Sequence, residues 1–270
     1  MRLKELSGLN AILAPGGLSV RFQPVIALNS SGPTLHALES LIRGPRETNL
    51  ETADVLFEYV RLKHEESTVD RACVQMALQN AARLPAGLRI SINVHASTLG
   101  RDRDFIFFLA QTAKEYGIPL TQLVIEIVEQ KPFWEPSLQV ALNHLRQLSI
   151  SIALDDVGLG YSNYRMMLDC RPDYFKIDSY VVRSSHADPY RKAVLCSIAQ
   201  LAAQFNAQVV AEGVEDEADL KAVMEAGIGL TQGYYFAKPM TVEDFLASDW
   251  ARFASAPVES AGQVSLPAVS

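Results

Sequence analysis

The sequence predicts an α/β fold, a (β/α)8 barrel, and three observations predict it. Short β-branched runs recur eight times, segments with helical spacing separate most of them, and the roughly 230 residues they cover match the size of such a barrel. A doubly wound open sheet, the competing architecture, is expected to carry a glycine-rich phosphate loop after its first strand, and none follows the run Val20–Leu28. In chain order the expected strands are Ser19–Leu28, Thr34–Arg43, Arg89–Val94, Leu123–Glu129, Ser149–Val157, Tyr174–Asp178, Gln208–Val214 and Thr231–Ala237. Between them, Val69–Leu84 and the segment carrying Val194, Ile198, Leu201, Ala202 and Phe205 repeat apolar residues at helical spacing. The expected organisation is a lead-in over 1–18, one barrel domain over 19–254 and a disordered tail over 255–270, where small, polar and proline residues show no period.

With 49% hydrophobic and 20% charged residues, the 270-residue chain can bury a large core. Its net charge of -7 argues against a surface that grips DNA or RNA polymer through bulk positive charge. Cys73, Cys170 and Cys196 are odd in number and widely spaced, which argues against a disulfide framework or a zinc knuckle. The N-terminus has neither signal-peptide nor anchor character, and no apolar run is long enough to span a bilayer. A cytoplasmic protein is expected.

Function is indicated by the polar residues that interrupt the apolar strands, because a buried carboxylate is costly unless something offsets its desolvation. Glu39, Asn93, Glu126, Asp155, Asp156 and Glu212 all fall at or near the expected C-terminal end of a strand. In a barrel these ends meet at one mouth, where such folds build active sites. A single strand-end acid is more often a helix cap or a surface charge, so the concurrence carries the argument. Like charges gathered so closely call for cations, and oxygen-only ligands select magnesium or manganese. Two such ions about 3.5–4 Å apart suit in-line phosphodiester hydrolysis. Lys176 adds a cation at the next strand end, and Arg43 follows Glu39 by four residues, in reach of a substrate phosphate. An enolase-like barrel, with Lys176 as proton-abstracting base, uses the same residue types.

These positions lie in longer motifs: Gln23-Pro24, Glu39-Ser40-Leu41 followed by Arg43, Asn93, Glu126-Ile127-Val128-Glu129, Asp155-Asp156-Val157-Gly158-Leu159-Gly160-Tyr161-Ser162, Lys176-Ile177-Asp178, Ala211-Glu212-Gly213-Val214-Glu215, and Gln232-Gly233-Tyr234-Tyr235-Phe236. In this order, from Val20 to Pro239, the sequence resembles the EAL family of bacterial cyclic di-GMP phosphodiesterases. The resemblance implies a modified TIM (β/α)8 barrel with an antiparallel first strand, and hydrolysis of cyclic di-GMP to linear pGpG with two divalent metal ions, Mg2+ or Mn2+. It implies that Glu39, Asn93, Glu126 and Asp155 hold one metal and that Asp155, Asp156 and Glu212 hold the other. Lys176 would stand beside the nucleophilic water, with Glu215 and Asp178 positioning the cluster. Gln23, Arg43, Asp178 and Gln232 would form the substrate-binding set, and Glu129 would brace the loop after Asp156. A homodimer is also implied, with the Gly158-Leu159-Gly160 loop and the helix after Tyr161 as the contact surface.

Four features depart from the family pattern: Ser40 for alanine; Leu159 for threonine together with Val157 for phenylalanine in the loop after the paired aspartates; Val128 for threonine before Glu129; and an Asn49–Glu66 segment without the family's PxxFIPxAExxG. By strand alternation Ser40 should face away from Glu39. The altered loop motivates the alternative reading of a catalytically weak or inactive cyclic di-GMP receptor, and any control would come from dimerisation or from a regulatory domain or protein in trans. His95 is the histidine expected nearest the mouth, Phe105, Phe107 and Phe108 read as core, and Arg71 reads either as a phosphate contact or as the partner of a surface carboxylate.

Overall fold

The computed structural model describes residues 8–128, 136–159 and 164–250. Strands β1 (Ser19–Asn29), β2 (Gly32–Arg43), β3 (Arg89–His95), β4 (Leu123–Val128), β5 (Ser151–Val157), β6 (Tyr174–Ile177), β7 (Gln208–Ala211) and β8 (Leu230–Thr231) close into a barrel in sequence order. From β2 to β8 all neighbours are parallel, whereas β1 runs antiparallel to both β2 and β8. The reason is local. Only Ser30 and Ser31 separate β1 from β2, far too few for a crossover, and Gly32 takes the positive φ of 116° that the tight return requires. Reversal brings the early residue Gln23 opposite Glu39, at the end of the barrel where the other strands finish.

The inside of the barrel is a small apolar plug made of Val25, Ala37, Val124, Ala153, Tyr174, Val210 and Leu230, separate from the larger core between strands and helices. Two residues beyond each plug residue of a parallel strand stands a polar one: Glu39 after Ala37, Glu126 after Val124, Asp155 after Ala153, Lys176 after Tyr174, Glu212 after Val210 and Gln232 after Leu230. In antiparallel β1 the step is reversed, and Gln23 precedes Val25 by two. Strand period two therefore lays one polar layer directly on the plug.

Three expected strand ends are corrected. The Gln208–Val214 run leaves the sheet after Ala211, because Gly213 turns with φ +70° and Val214 bonds to Gln232 instead of extending the ladder. The Thr231–Ala237 run is strand only to Thr231; Gly233 then packs so closely on Val214 that a Cβ there would lie 2.0 Å from the Val214 carbonyl oxygen. Its aromatic residues imitate a strand, yet Tyr234 and Tyr235 are exposed. Strand β6 stops at Ile177, and Asp178 caps the following helix. No helix among the described residues is long and apolar enough to cross a membrane. The expected tail lies outside the described residues.

Candidate active site

The polar layer is organised around one lysine. Lys176 is 2% exposed, and its Nζ lies 2.6 Å from Glu126 Oε2, 2.8 Å from Glu212 Oε1, 3.2 Å from Asp155 Oδ1 and 3.3 Å from Glu39 Oε1. Three strands and the residue that follows β7 thus deliver carboxylates to an ammonium delivered by β6. Around them runs a set of amide and hydroxyl donors. Asn93 Nδ2 donates to Glu39 Oε1 at 3.1 Å, Gln232 Nε2 donates to Glu39 Oε2 at 2.6 Å and to Gln23 Oε1 at 3.0 Å, and Gln23 Nε2 donates to the Ala237 carbonyl at 3.0 Å. The Ser91 hydroxyl donates to Glu126 Oε1. Ser40 points away from Glu39, as expected, and bonds the Ser91 carbonyl at 2.7 Å.

The charges do not balance within this layer. Burial by itself would raise the Glu39 carboxyl, but the Lys176 ammonium and the donors Gln232 and Asn93 hold it below its usual value. Burial and the Glu39 charge push Glu126 up to about 8 despite Lys176. Burial also raises Glu212 well above its usual value, against the pull of Lys176 and with Asp155 and Glu39 adding to the rise. Burial would lower Lys176, yet Asp155, Glu126, Glu212 and Glu39 hold it well above the ordinary lysine value. One ammonium is too little for this many acids.

That excess, in a donor set of oxygens without thiolate or imidazole, fits hard divalent cations. Among the described residues no three His, Cys, Asp or Glu side chains are already closed into a sphere for one ion; the carboxylates converge on Lys176 instead. Asp156 stands outside the group that contacts the ammonium. The pairing of β5 with β6 shifts between Leu154 and Val157, and Asp156 takes a φ of 53° in that irregularity. Burial, Asp155 and Asp178 raise its carboxyl to about 6.

A cleft of about 270 Å³ opens over the layer, with Gln23, Leu41, Ser179, Arg183, Glu215 and Tyr234 among the residues lining it. Glu215 lies on this wall, paired with Arg183 at 2.5 Å, away from Lys176. Asp178 accepts the Tyr180 N–H at 2.6 Å as a helix cap, and Arg43 Nη1 donates to the Ile42 carbonyl. Gln232, expected at the rim, is buried. Glu129 lies outside the described residues. The sequence reading missed Ser91, whose position two before Asn93 on an inward face was the available signal, and Arg183, for which there was none. His95 ends β3 and is buried, with Nδ1 2.9 Å from Oδ1 of Asp70 on the helix Glu66–Ala81, and it is not among the residues lining the cleft. Arg71 forks onto Asp102, so of its two readings the carboxylate pair holds. Phe105 is core, while Phe107 is exposed.

Residues 8–239 match the family model described as the EAL domain. The chain belongs to the EAL domain family. This EAL domain is 32% identical over 196 residues to the cyclic di-GMP phosphodiesterase PdeF of Escherichia coli (strain K12), a match covering 70% of the chain and 26% of that protein. The chain thus spans about a quarter of that curated relative's length. Its fold matches a standalone EAL protein from Vibrio cholerae O395 in a c-di-GMP bound form, with TM-score 0.74, 27% identity, and 85% and 94% of the two chains covered. It also matches Klebsiella pneumoniae BlrP1 in a manganese and cyclic di-GMP complex, with TM-score 0.75, 25% identity, and 86% and 58% covered.

Proposed function

We propose that this EAL domain hydrolyses one phosphodiester of cyclic di-GMP, giving linear pGpG and lowering a bacterial second messenger. The observation that carries the reading is the convergence of Glu39, Glu126, Asp155 and Glu212 on Lys176 beneath a cleft, in a chain whose relatives are phosphodiesterases of that substrate. In this reading Glu39, Asn93, Glu126, Asp155, Asp156 and Glu212 hold two divalent cations, Mg2+ or Mn2+, with Asp155 shared. When bound, the cations supply a nucleophilic hydroxide and neutralise charge on the scissile phosphate.

The chain's own groups do the rest. Asn93 and Gln232 hold both oxygens of Glu39, and the Lys176 ammonium with these two donors keeps its carboxyl below the usual value, so it binds a cation without first losing a proton. Ser91 orients Glu126 from the neighbouring strand. Lys176 remains charged, available to hold the attacking water or a phosphate oxygen. Gln23, Arg43, Asp178 and Gln232 complete the substrate side and Glu215 positions the cluster from the cleft wall, while the bracing role of Glu129 rests on the family resemblance. The buried plug closes the floor of the site against water from the opposite end of the barrel.

We propose further that the domain works in the cytoplasm as a homodimer, under a regulatory domain or protein in trans. Leu159, Tyr164 and Leu168 are exposed on the loop and helix where the contact is expected, which supports that surface. A monomeric mass by light scattering would refute the dimer. The receptor reading is favoured by the altered loop, where Val157 and Leu159 stand in place of the family's phenylalanine and threonine and Val128 in place of its other threonine.

Product analysis after incubation with cyclic di-GMP and manganese separates the two readings. Linear pGpG that disappears with chelator and with Glu39→Ala is the expected result. Tight binding of cyclic di-GMP without product, in manganese, overturns hydrolysis and leaves the receptor.

A further inference from the structure

Arg183 is a cation on the cleft wall that the acid cluster does not use. The cleft is lined by Glu39, Asp155, Glu212 and Glu215, with Lys176 and Arg183 as its cations among the described residues. Lys176 is buried among four carboxylates, at the point where the phosphodiester being cleaved is expected, so it serves that phosphate and not a second one. Arg183 is different in kind: its side chain is 48% exposed, and its Nη2 lies 2.5 Å from an oxygen of the half-exposed Glu215. It also packs beside the segment that carries Glu212. A Cβ on Gly213, the residue after Glu212, would lie 3.3 Å from Arg183 Nε, while the Glu212 carboxylate is 2.8 Å from Lys176.

A cyclic dinucleotide carries two phosphodiesters. When one is at the acids, the other must lie elsewhere in a cleft whose charged groups are mostly acidic and whose lining does not include Arg43, and it needs a cation of its own. A guanidinium has five N–H donors in a planar fork, so one nitrogen held by Glu215 leaves others for a phosphate. Being half in water, Arg183 loses little hydration when it turns to a ligand, and a rim ion pair of this exposure yields readily. We propose that Arg183 anchors the phosphodiester that is not being cleaved, with Glu215 holding its guanidinium towards the cleft. This inference rests on the cyclic dinucleotide reading of the site.

The test compares wild type, Arg183→Ala and Arg183→Lys on two substrates with manganese: cyclic di-GMP, and bis(p-nitrophenyl) phosphate, which has no second phosphate. With Arg183→Ala the KM for cyclic di-GMP should rise about ten- to a hundred-fold, the size expected for a lost charge-assisted contact, with kcat changed far less. The loss on the one-phosphate substrate should be smaller by about tenfold or more, and lysine should recover part of the affinity. Equal losses on both substrates, or none on either, would overturn the inference, the former by placing Arg183 behind the acids through Glu215. If wild type binds without turnover, the Kd for cyclic di-GMP in calcium replaces KM, and an unchanged Kd in Arg183→Ala overturns it. Wild type that neither binds nor cleaves cyclic di-GMP defeats the proposed function and this inference together.

Discussion

A buried lysine with four carboxylates within 3.3 Å is an arrangement whose members cannot be removed singly. Deleting the ammonium leaves acids that lack both water and counter-charge, and breaking a buried ion pair in this way costs about 3–5 kcal/mol. Lys176→Met is therefore expected to lower the melting temperature in chelator, to regain much of it in manganese, and to lose about a hundredfold or more in turnover. Thermal scans with and without metal, set beside the rate, check this; a melting temperature that metal leaves unmoved would show that cations do not replace the ammonium. Sequence alone placed Lys176 at a strand end as a candidate. That it would be the common partner of four acids depended on strands up to 137 residues apart, from Glu39 to Lys176, closing on one another.

At the scale of elements, the strand period does most of the positioning. Each plug residue supports a site residue two positions along, so the packing of the plug sets the height and direction of the polar layer. Leu230 is 4% exposed beneath Gln232, whose amide holds Glu39 and Gln23. Leu230→Ala is expected to cost about 2–5 kcal/mol in stability. It should also reduce turnover at saturating metal, since Gln232 loses its support; chemical denaturation and kinetics on one preparation decide, and lost stability with intact kcat would show that plug and polar layer are uncoupled. The β1–β2 hairpin is the other decisive element. Two serines and a glycine at positive φ reverse the first strand and bring Gln23 to the mouth. The residues of that turn are visible in the sequence, but the direction of the strand came only from the family resemblance, and the pairing with β8 confirms it.

Over the whole molecule, the excess of acids ties stability to pH and metal. Glu126, with an ordinary value of 4.5, is held at about 8, chiefly by burial, and Asp156, ordinarily 3.8, is held at about 6 for the same main reason. Through these acids, with Glu212 raised alongside them, the metal-free folded chain binds more protons than the unfolded chain across the window between those ordinary and raised values. They outweigh the single opposing group among the described residues, His36, which burial lowers to about 4, so stability falls as pH rises through the window. Glu39 is depressed below 4.5, so its contribution is already complete in that window, as is that of the raised Lys176. Cations favour the ionised acids, so saturating manganese is expected to flatten or reverse the slope. Melting temperatures at about pH 5.5 and pH 8, in chelator and in manganese, measure both signs. A metal-free protein more stable at the higher pH would contradict the crowding of the acids.

What the sequence by itself determined is the barrel and the inventory of its mouth. Alternating runs and helical spacers specify the elements, and acids inside apolar runs stand out because burying them is costly. Tertiary structure decided the rest. Whether Asp156 joins its neighbour Asp155 depends on an irregularity in β5 and a left-handed backbone, which no spacing announces. Where β7 and β8 stop depends on the close packing of Gly233 on Val214. The position of Arg183, past a short helix and against Gly213, depends on contacts between segments that local pattern does not encode. Local chemistry selects strands and buried faces, whereas partners across the barrel are set only when distant strands close on one another.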